Sequence, residues 1–356
     1  MSSQSSAFVA RAACVADIDS LVDLANQIGP GMTTLPSDPA SIAHKVECSV
    51  QTFNEEDCSD PQYLLVLEGK HGGRIVALSG VYPQVGDPHG FFSYKLTKLI
   101  QRSDRLDRRC EVELLTLSNQ YTGATEVGTL AVLPDLQSTG AGRFLARARY
   151  MLIGTFPTLF SPCVMAEMRG WQDQEGNSPF WDAIGAKFFG LGFKDADRLS
   201  AIEGSGFIAD LMPKQPIYTA LLPDGARDAI GRPHAISARA MSMLLDEDFR
   251  YDGYIDVFDG GPQVHALQDQ IRTIREMRDV TVTDRLSGKG ELAPILLCNK
   301  NLENFRVAST LGRFDGNEAH IDSAVICELQ LNTGSGARMA PGEVGGSQKS
   351  KHGNSG

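Results

Sequence analysis

The stretch TEVGTLAVLPDLQSTGAGRFLARARYMLIGTF, residues 125–156, decides the fold of this chain. It begins as an apolar β-rich run, passes through a polar turn, and continues with apolar residues at helical spacing. The turn carries the pattern QxxGxG, made by Gln137, Gly140 and Gly142. Its backbone N–H groups and the positive end of the following helix would converge on an anion, most naturally a phosphate. The stretch therefore predicts a strand, an anion-binding turn and a helix.

This glycine turn differs from two common phosphate-binding loops. No Gly-Lys-Ser/Thr follows it, as a P-loop requires, and its spacing is not the GxGxxG of dinucleotide-binding folds. The pattern by itself is also compatible with an ordinary turn after a strand. Its meaning therefore depends on the elements around it.

The rest of the chain alternates between strand and helix patterns, which predicts a mixed α/β fold. Before the turn we expect a strand from Phe8, a helix over 18–28 that ends at Gly29, an antiparallel hairpin of 63–68 and 74–82, and strands at 91–97 and 111–117. After it we expect a strand at 163–168, a helix starting at 178–181, a helix from Ala238 that leads into a strand from Arg250, and a helix over 263–277.

The chain also divides into regions by composition. Short β-like runs at 294–298, 305–309 and 324–331 predict a smaller β-rich C-terminal region. From Asn332 onward, glycine and serine are frequent and apolar periodicity is lost, which predicts a flexible tail over 332–356. We therefore expect a core at 7–200, a C-terminal α+β region at 201–331 that completes the site, and the tail.

Composition excludes several classes of protein. The 356 residues contain 33 Lys+Arg and 44 Asp+Glu, a net charge of −11, which argues against nucleic acid as the main partner. No apolar run of about 18 residues is present, so we expect no membrane association. The N-terminus has no signal-peptide pattern, and seven scattered cysteines without a CxxC motif suggest reduced thiols and no metal site. These features together predict a cytoplasmic protein.

The order of elements around the QxxGxG turn resembles the GNAT superfamily of acyl-CoA N-acyltransferases. The resemblance implies a GNAT-like core in which the turn holds the pyrophosphate of coenzyme A. Six longer motifs, in order along the chain, resemble those of the arginine N-succinyltransferase family. They are GPGMTTLP (29–36), AEMRG (166–170), SPFW (178–181), FIADLMPKQPIYT (207–219), IGRPH (230–234) and YIDVFDGGP (254–262).

This resemblance implies transfer of succinyl from succinyl-CoA, as co-substrate, to the α-amino group of L-arginine in arginine catabolism. The amine would attack the thioester directly, without a tightly bound cofactor. The family's proton-donor histidine falls on His234, and its succinyl-CoA-binding leucine matches Leu130. Gln137, Gly140 and Gly142 complete the predicted coenzyme A site.

Arginine presents a carboxylate and a guanidinium, so its site needs a cation and carboxylates. Arg169 is our candidate for the substrate carboxylate. Glu126 and Glu167 are candidates for the amine or guanidinium, together with Asp256 or Asp259. Glu167 and Arg169 share one face of a strand and could equally pair with each other as a salt bridge. For the succinyl carboxylate, the matched motifs offer Lys214 and Arg232.

The chain departs from the family pattern at two places. PHGFFSYKLTK at 88–98 replaces the usual PWYNYRVG, and EVGTLAV replaces ELCTLFL, which places Gly128 and Ala131 where bulkier residues are usual. We expect these changes to alter the acyl or amine pocket. The neighbouring basic run 98–109 could approach the adenosine phosphates, but such runs are usually solvated, and we interpret it so.

Alternative functions remain open from the sequence. The same fold could act on ornithine or another amine, or use a different acyl-CoA. A non-catalytic subunit that stabilises an active paralogue is a second alternative, since the resemblance implies a homo-oligomer or pairing with a related subunit. The retained His234 and QSTGAG turn argue against that subunit role, and the charge argues against nucleic-acid binding.

Overall fold

The computed structural model describes residues 7–29, 34–70, 73–86, 89–203, 211–284 and 291–342. Residues 30–33 of the first matched motif and 207–210 of the fourth lie outside these ranges. The fold is mixed α/β, and the strands of the described residues join one 15-stranded sheet. None of the helices within the described ranges has the length and apolar character needed to cross a bilayer.

The N-terminal half follows the predicted order of elements, except that a second helix, residues 39–53, was not predicted. Asp38 caps the second helix by accepting the N–H of Ser41, with Pro39 in the first turn. The elements are β1 (Phe8–Ala12), α1 (Ile18–Ile28), α2 (Pro39–Phe53), β2 (Tyr63–Gly69), β3 (Ile75–Tyr82), β4 (Ser93–Ser103), β5 (Arg108–Ser118), β6 (Thr125–Val132), α3 (Ala141–Thr155) and β7 (Cys163–Glu167). The predicted strands at 91–97 and 111–117 are both longer than expected and form one hairpin, β4–β5.

The C-terminal half begins with short helices and then supplies strands to the middle and to both ends of the sheet. Its elements are α4 (Pro179–Ala183), α5 (Gly185–Phe189), α6 (Phe193–Glu203), β8 (Ile217–Tyr218), α7 (Asp224–Ala229), α8 (Ala238–Leu245), β9 (Arg250–Asp256), β10 (Pro262–Leu267), α9 (Arg272–Arg275), β11 (Arg278–Thr283), β12 (Ala293–Cys298), β13 (Arg306–Asp315), β14 (Glu318–His320), α10 (Ser323–Glu328) and β15 (Gly336–Pro341).

The predicted helix over 263–277 is wrong for most of its length. Residues 262–267 form β10, which lies between β7 and β9, and only the short α9 follows. Val264 and Ala266 alternate with the less buried His265, which fits a strand. Hydrogen-bonding partners on both sides of β10 override the helical spacing of its side chains.

The β-like run at 324–331 is also wrong, because residues 323–328 form α10. Asp322 caps this helix by accepting the N–H of Ala324. Val325, Ile326 and Leu329 are buried at helical spacing. The helix therefore buries the apolar residues that suggested a strand.

The flexible tail predicted from residue 332 is wrong for residues 336–341, which form β15. This strand pairs with β11 on one side and β12 on the other, and it buries Ala337 and Met339. Strands β12, β15, β11, β14 and β13 follow one another in the sheet, and β13 pairs back to β12, so the five strands close into a ring. Partners on both sides order a segment whose composition alone suggests flexibility.

Two regions of the sheet matter for the site. Strands β2 and β3 are buried along nearly their whole length and contact α1, α2 and α3, forming the main core. Next to them the strand order runs β3, β6, β7, β10, β9, β4. Strands from both halves of the chain therefore meet beside β6.

Candidate active site

Strands β6 and β7 run parallel but pair over only two positions, Thr125 with Val164 and Glu126 with Met165. Beyond Glu126, β6 continues to Val132 and pairs with β3 along its other edge. No described strand covers the edge that faces away from β3 after this point. Leu130 lies on this part of β6 and is partly buried against the main core. The two strands thus separate and leave a gap with uncovered backbone along one side.

A β-bulge stands on the same part of β6. One extra residue disturbs the pairing with β3 between Gly128 and Ala131, and Thr129 there has a left-handed φ of 50°. The Thr129 hydroxyl lies 2.5 Å from the Tyr82 hydroxyl. Arg149 donates to the carbonyl of Gly128 at 3.3 Å. The bulge is therefore held by side chains from β3 and α3, and it redirects the backbone beside the gap.

The glycine turn follows β6 and opens α3. Ser138 has φ of 79° and Gly140 has φ of 96°, so two left-handed residues curl the backbone before the helix. Gly140 caps α3 without a side chain, and Gln137 is exposed, with its amide nitrogen 3.4 Å from the carbonyl of Val132. The N–H groups of Gln137 and Thr139 donate within the turn, to the carbonyls of Pro134 and Leu136 at 3.3 Å. The turn stands at the positive end of α3, where an anion is favoured, and phosphate binding there stays a prediction.

His234 lies in a loop fastened to the chain just beyond β7. Its backbone N–H donates to the carbonyl of Arg169 at 2.7 Å, and Gly170 pairs with Pro233. The ring Nδ1 accepts the N–H of Ile236 at 3.2 Å. A neutral imidazole that accepts at Nδ1 carries its proton at Nε2. The half-buried His234 therefore presents an N–H donor at Nε2.

Arg239, in the first turn of α8, was not identified from the sequence. Its guanidinium donates to the Ser138 hydroxyl of the glycine turn at 2.9 Å. The segment 234–239 thus connects the end of β7 to the glycine turn. Because the contact joins residues 101 positions apart, no local pattern could reveal it.

Glu126 and Glu167 stand where β6 and β7 separate. Removal from water raises the pKa of Glu126 to about 7, although Lys45 lowers it in part. Removal from water and then the charge of Glu126 raise the pKa of Glu167 to about 8. The Glu167 carboxylate accepts the amide N–H of Gln263 at 2.5 Å. Two adjacent carboxyls with raised pKa values form a site that a bound cation would stabilise.

Asp256 and Asp259 extend this group of carboxyls, but their surroundings differ. Burial, followed by the charges of Asp259 and Glu167, raises the pKa of Asp256 well above its usual value. Asp259 uses both oxygens to accept backbone N–H groups, from Gly170 at 2.7 Å and Gly261 at 2.9 Å. It therefore holds two chain segments together.

Arg169 lies at the edge of the same group. Its guanidinium donates to the Gln172 side chain at 3.2 Å. Burial raises the pKa of Asp197, and the Arg169 charge partly offsets that rise. The pairing of Glu167 with Arg169 was left open by the sequence, and the hydrogen bond seen on Glu167 comes from Gln263. Arg169 thus places positive charge beside the carboxyls.

The remaining candidates lie farther out. Lys214 is exposed, and the Arg232 guanidinium stacks over Trp171 at 5.1 Å. The basic run 98–109 forms the mostly exposed outer part of the β4–β5 hairpin, which confirms its interpretation as a solvated face. Lys98 there forms an ion pair with Glu111 across the hairpin.

The departures from the family pattern lie beside the site. A side chain at Gly128 would place its Cβ 3.3 Å from both Tyr82 and Glu126. Glycine therefore leaves room for these two side chains at the gap. Lys95, from the departing segment PHGFFSYKLTK, has its ammonium group 4.2 Å from the ring centre of Tyr254 on β9.

Known proteins share this architecture over nearly the whole chain. Residues 8–273 match the family described as arginine N-succinyltransferase beta subunit. The chain is 35% identical to arginine N-succinyltransferase subunit beta of Pseudomonas aeruginosa, over 94% of this chain and 98% of that protein. It is 37% identical to arginine N-succinyltransferase of Escherichia fergusonii, over 82% of this chain and 85% of that protein.

A solved structure extends the match to three dimensions. The structure of arginine/ornithine succinyltransferase subunit AI from Pseudomonas aeruginosa is similar with a TM-score of 0.82 and 29% identity, covering 94% of this chain and 98% of that one. Because the family model matches three quarters of the chain and a relative is 35% identical over nearly its whole length, the chain belongs to the arginine N-succinyltransferase family.

Proposed function

We propose that this protein transfers the succinyl group of succinyl-CoA to the α-amino group of L-arginine. The observation that carries the proposal is the gap between β6 and β7, which joins the glycine turn to the group of carboxyls. His234 lies beside this gap on the loop fastened to the end of β7. An anionic co-substrate and a cationic amine would therefore meet at one place.

Coenzyme A would occupy the glycine-turn side. Its pyrophosphate would bind the N–H groups around Gln137, Gly140 and Gly142, and the pantetheine arm would follow the uncovered edge of β6 at Leu130. This placement of coenzyme A corresponds to the GNAT-like core that we predict for residues 7–200. Residues 201–331 would complete the site, since they supply His234, Arg239 and Gln263.

The amine would occupy the carboxyl side. Arg169 would bind the substrate carboxylate, while Glu126 and Glu167 would hold its amine or guanidinium. The neutral α-amine attacks the thioester carbonyl, the new C–N bond forms, and the C–S bond breaks. A backbone N–H of β6 would stabilise the oxyanion. The proton lost by the amine would pass by way of a carboxylate or water to His234, and the protonated His234 would then give a proton from Nε2 to the departing thiolate and return to its neutral state.

The identity of the amine and the assembly of the protein are also proposed. The related structure is that of an arginine/ornithine succinyltransferase subunit, so ornithine is the second candidate amine. Two relatives are named as subunits, which favours a homo-oligomer or a pairing with a related chain. In such a pair this chain could support catalysis by its partner instead of performing it.

Thiol release tests the proposal. The purified protein is mixed with succinyl-CoA or acetyl-CoA and with arginine, ornithine or lysine, and the product mass is measured. We expect rapid release only with succinyl-CoA, fastest with arginine. Release with another pair would reassign the substrates. No release with any pair would favour the supporting-subunit role.

A further inference from the structure

Strand pairing places a row of polar side chains across one face of the sheet, starting beside the gap. Directly paired residues share a face, and so do residues two positions apart on a strand. The row consists of Glu167 on β7, Gln263 on β10, Tyr254 on β9 and Lys95 on β4. On the same face, Asp256 on β9 lies opposite Ser93 on β4. A polar surface therefore extends from the gap across strands of both halves of the chain.

Gln263 is the member of this row directly paired with Glu167, and the proposed function gives its amide no contact with the substrate. Its side chain is completely buried. The amide nitrogen donates to Glu167 at 2.5 Å, while the amide oxygen has no hydrogen-bond partner among the described residues. Buried polar atoms nearly always have a partner, so an unpaired acceptor beside two carboxyls indicates a missing donor.

Ser93 is a second, independent indication that a hydrogen-bond partner is missing on this face of the sheet. It is also completely buried, and its hydroxyl has no partner in the part of the chain that the structure describes. It faces the same surface as Asp256, whose carboxyl is raised in pKa by burial and by nearby charges. Two unpaired polar groups thus flank two carboxyls. A cation that carries several N–H groups would supply donors to these acceptors.

We propose that Gln263 and Ser93 are specificity-determining residues that bind the guanidinium of the amino-acid substrate. The proposal rests on the proposed function, because it places the α-amine at the gap and the side chain along the polar row. A guanidinium presents five N–H donors in a planar fork, which can satisfy Glu167, Asp256 and the amide oxygen of Gln263 together. The compact ammonium group of ornithine cannot reach all of these acceptors at once.

The distances along the sheet agree with this placement. Gln263 lies one strand from β7 and Asp256 two strands, about 5 and 10 Å from the edge of the gap. A long amino-acid side chain whose amine is at the gap spans the first of these distances and approaches the second. The guanidinium would then lie over β10, between Glu167 and Asp256.

The variant Gln263→Met tests the role of the amide. Methionine keeps the volume but removes both polar atoms. We expect the KM for arginine to rise about 10- to 100-fold, as for a lost hydrogen bond to a charged group, while kcat and the KM for succinyl-CoA stay unchanged. The KM for ornithine should change much less, so the preference for arginine over ornithine should fall.

Gln62→Met is the matched control. Gln62 is also completely buried with an unpaired amide oxygen, but it precedes β2 and lies outside the polar row. This variant should leave the KM for arginine unchanged. Calorimetry of arginine binding without coenzyme A, with citrulline as a neutral isostere, measures recognition independently of turnover.

Several results would overturn the inference. These are an equal loss for arginine and ornithine in Gln263→Met, a change confined to succinyl-CoA, or the same rise in the Gln62→Met control. A failure of the proposed function would look different, because the wild-type protein would then release no thiol with any amine. If the wild-type protein still bound arginine in calorimetry, the guanidinium site would stand and the catalytic assignment would fall.

Discussion

The two sides of the candidate site offer different kinds of binding groups. On one side the glycine turn is exposed and offers backbone N–H groups, positioned by Ser138 and Gly140 in left-handed conformations. On the other side, side chains offer carboxyls and an amide drawn from β6, β7, β9 and β10. The first side depends on backbone conformation, and the second depends on removing charged groups from water.

This difference suggests how each side tolerates change. Most side chains in the glycine turn can be replaced without losing its N–H groups, provided that the left-handed positions are kept. On the carboxyl side each residue acts through its own atoms, and neighbouring charges shift one another's pKa values. Substitutions there should have effects that are larger and not additive. Three predictions test this comparison.

The largest effect is expected at the junction of the two sides. His234→Ala removes the Nε2 proton donor, and kcat should fall about 10²- to 10⁴-fold with little change in either KM. Assays of thiol release at varied substrate concentrations measure this fall in kcat. His44→Ala, an exposed histidine on α2, is the control and should keep full activity. Unchanged turnover in purified His234→Ala would mean that another subunit performs the catalysis.

The carboxyl side should respond to pH. The folded protein raises the pKa of Glu126 to about 7 and of Glu167 to about 8, from a usual value of 4.5. The stability that these groups contribute is therefore fully present below about pH 4.5 and is lost as pH rises through 7 to 8. A bound cation favours the carboxylates, so arginine should bind more tightly as pH rises through this range.

Calorimetry in buffers of different ionisation enthalpy measures this coupling. Arginine binding near pH 7 should release protons, and affinity should rise up to about tenfold per pH unit for each proton released. Glu126→Gln and Glu167→Gln should each reduce the number of protons released. Glu113→Gln, on the exposed part of β5, should not change it. Uptake of protons on binding would contradict the prediction.

The smallest effect is expected on the side of the site that the glycine turn forms. Gly140→Ala adds a Cβ that meets no atom within 4 Å, so its only cost is the left-handed φ of 96°. The strain of about 1–2 kcal/mol should raise the KM for succinyl-CoA several-fold and leave the KM for arginine unchanged.

Gly316→Ala is the control for strain alone. Gly316 lies in the turn between β13 and β14, has a φ of 56°, and also has open space for a Cβ. Both variants should lower the melting temperature to a similar extent, but only Gly140→Ala should change the KM for succinyl-CoA. Equal kinetics in the two variants would show that the geometry of the glycine turn does not matter for binding.

The sequence predicted the parts of the fold that depend on local patterns. Strand β6, the glycine turn and α3 follow from apolar spacing and from glycine at a left-handed position, and the structure confirms them. Strand β10 and strand β15 were missed, because each is stabilised by strands on both sides that are distant in sequence. Helical spacing in one and glycine-rich composition in the other gave the wrong prediction.

The residues of the candidate site also divide into those that the sequence suggested and those that it missed. The resemblance of motifs suggested roles for His234 and Leu130, and residue chemistry suggested roles for Glu126 and Glu167; these roles stay predictions. The structure shows that Glu126 and Glu167 lie where β6 and β7 separate. Gln263 and Arg239 were not identified, since a glutamine or arginine in isolation has no distinctive pattern. Asp259, a candidate by its charge, proves to accept two backbone N–H groups.

The sequence by itself determined the family, the order of most elements and the backbone conformation of the glycine turn, because these depend on neighbouring residues. The tertiary structure decided which polar groups meet at the gap and which of them lose contact with water. Burial and strand pairing bring Glu167, Gln263 and Asp256 onto one face from segments about 90 residues apart in the chain. Their shifted pKa values and unpaired atoms exist only once those segments are assembled.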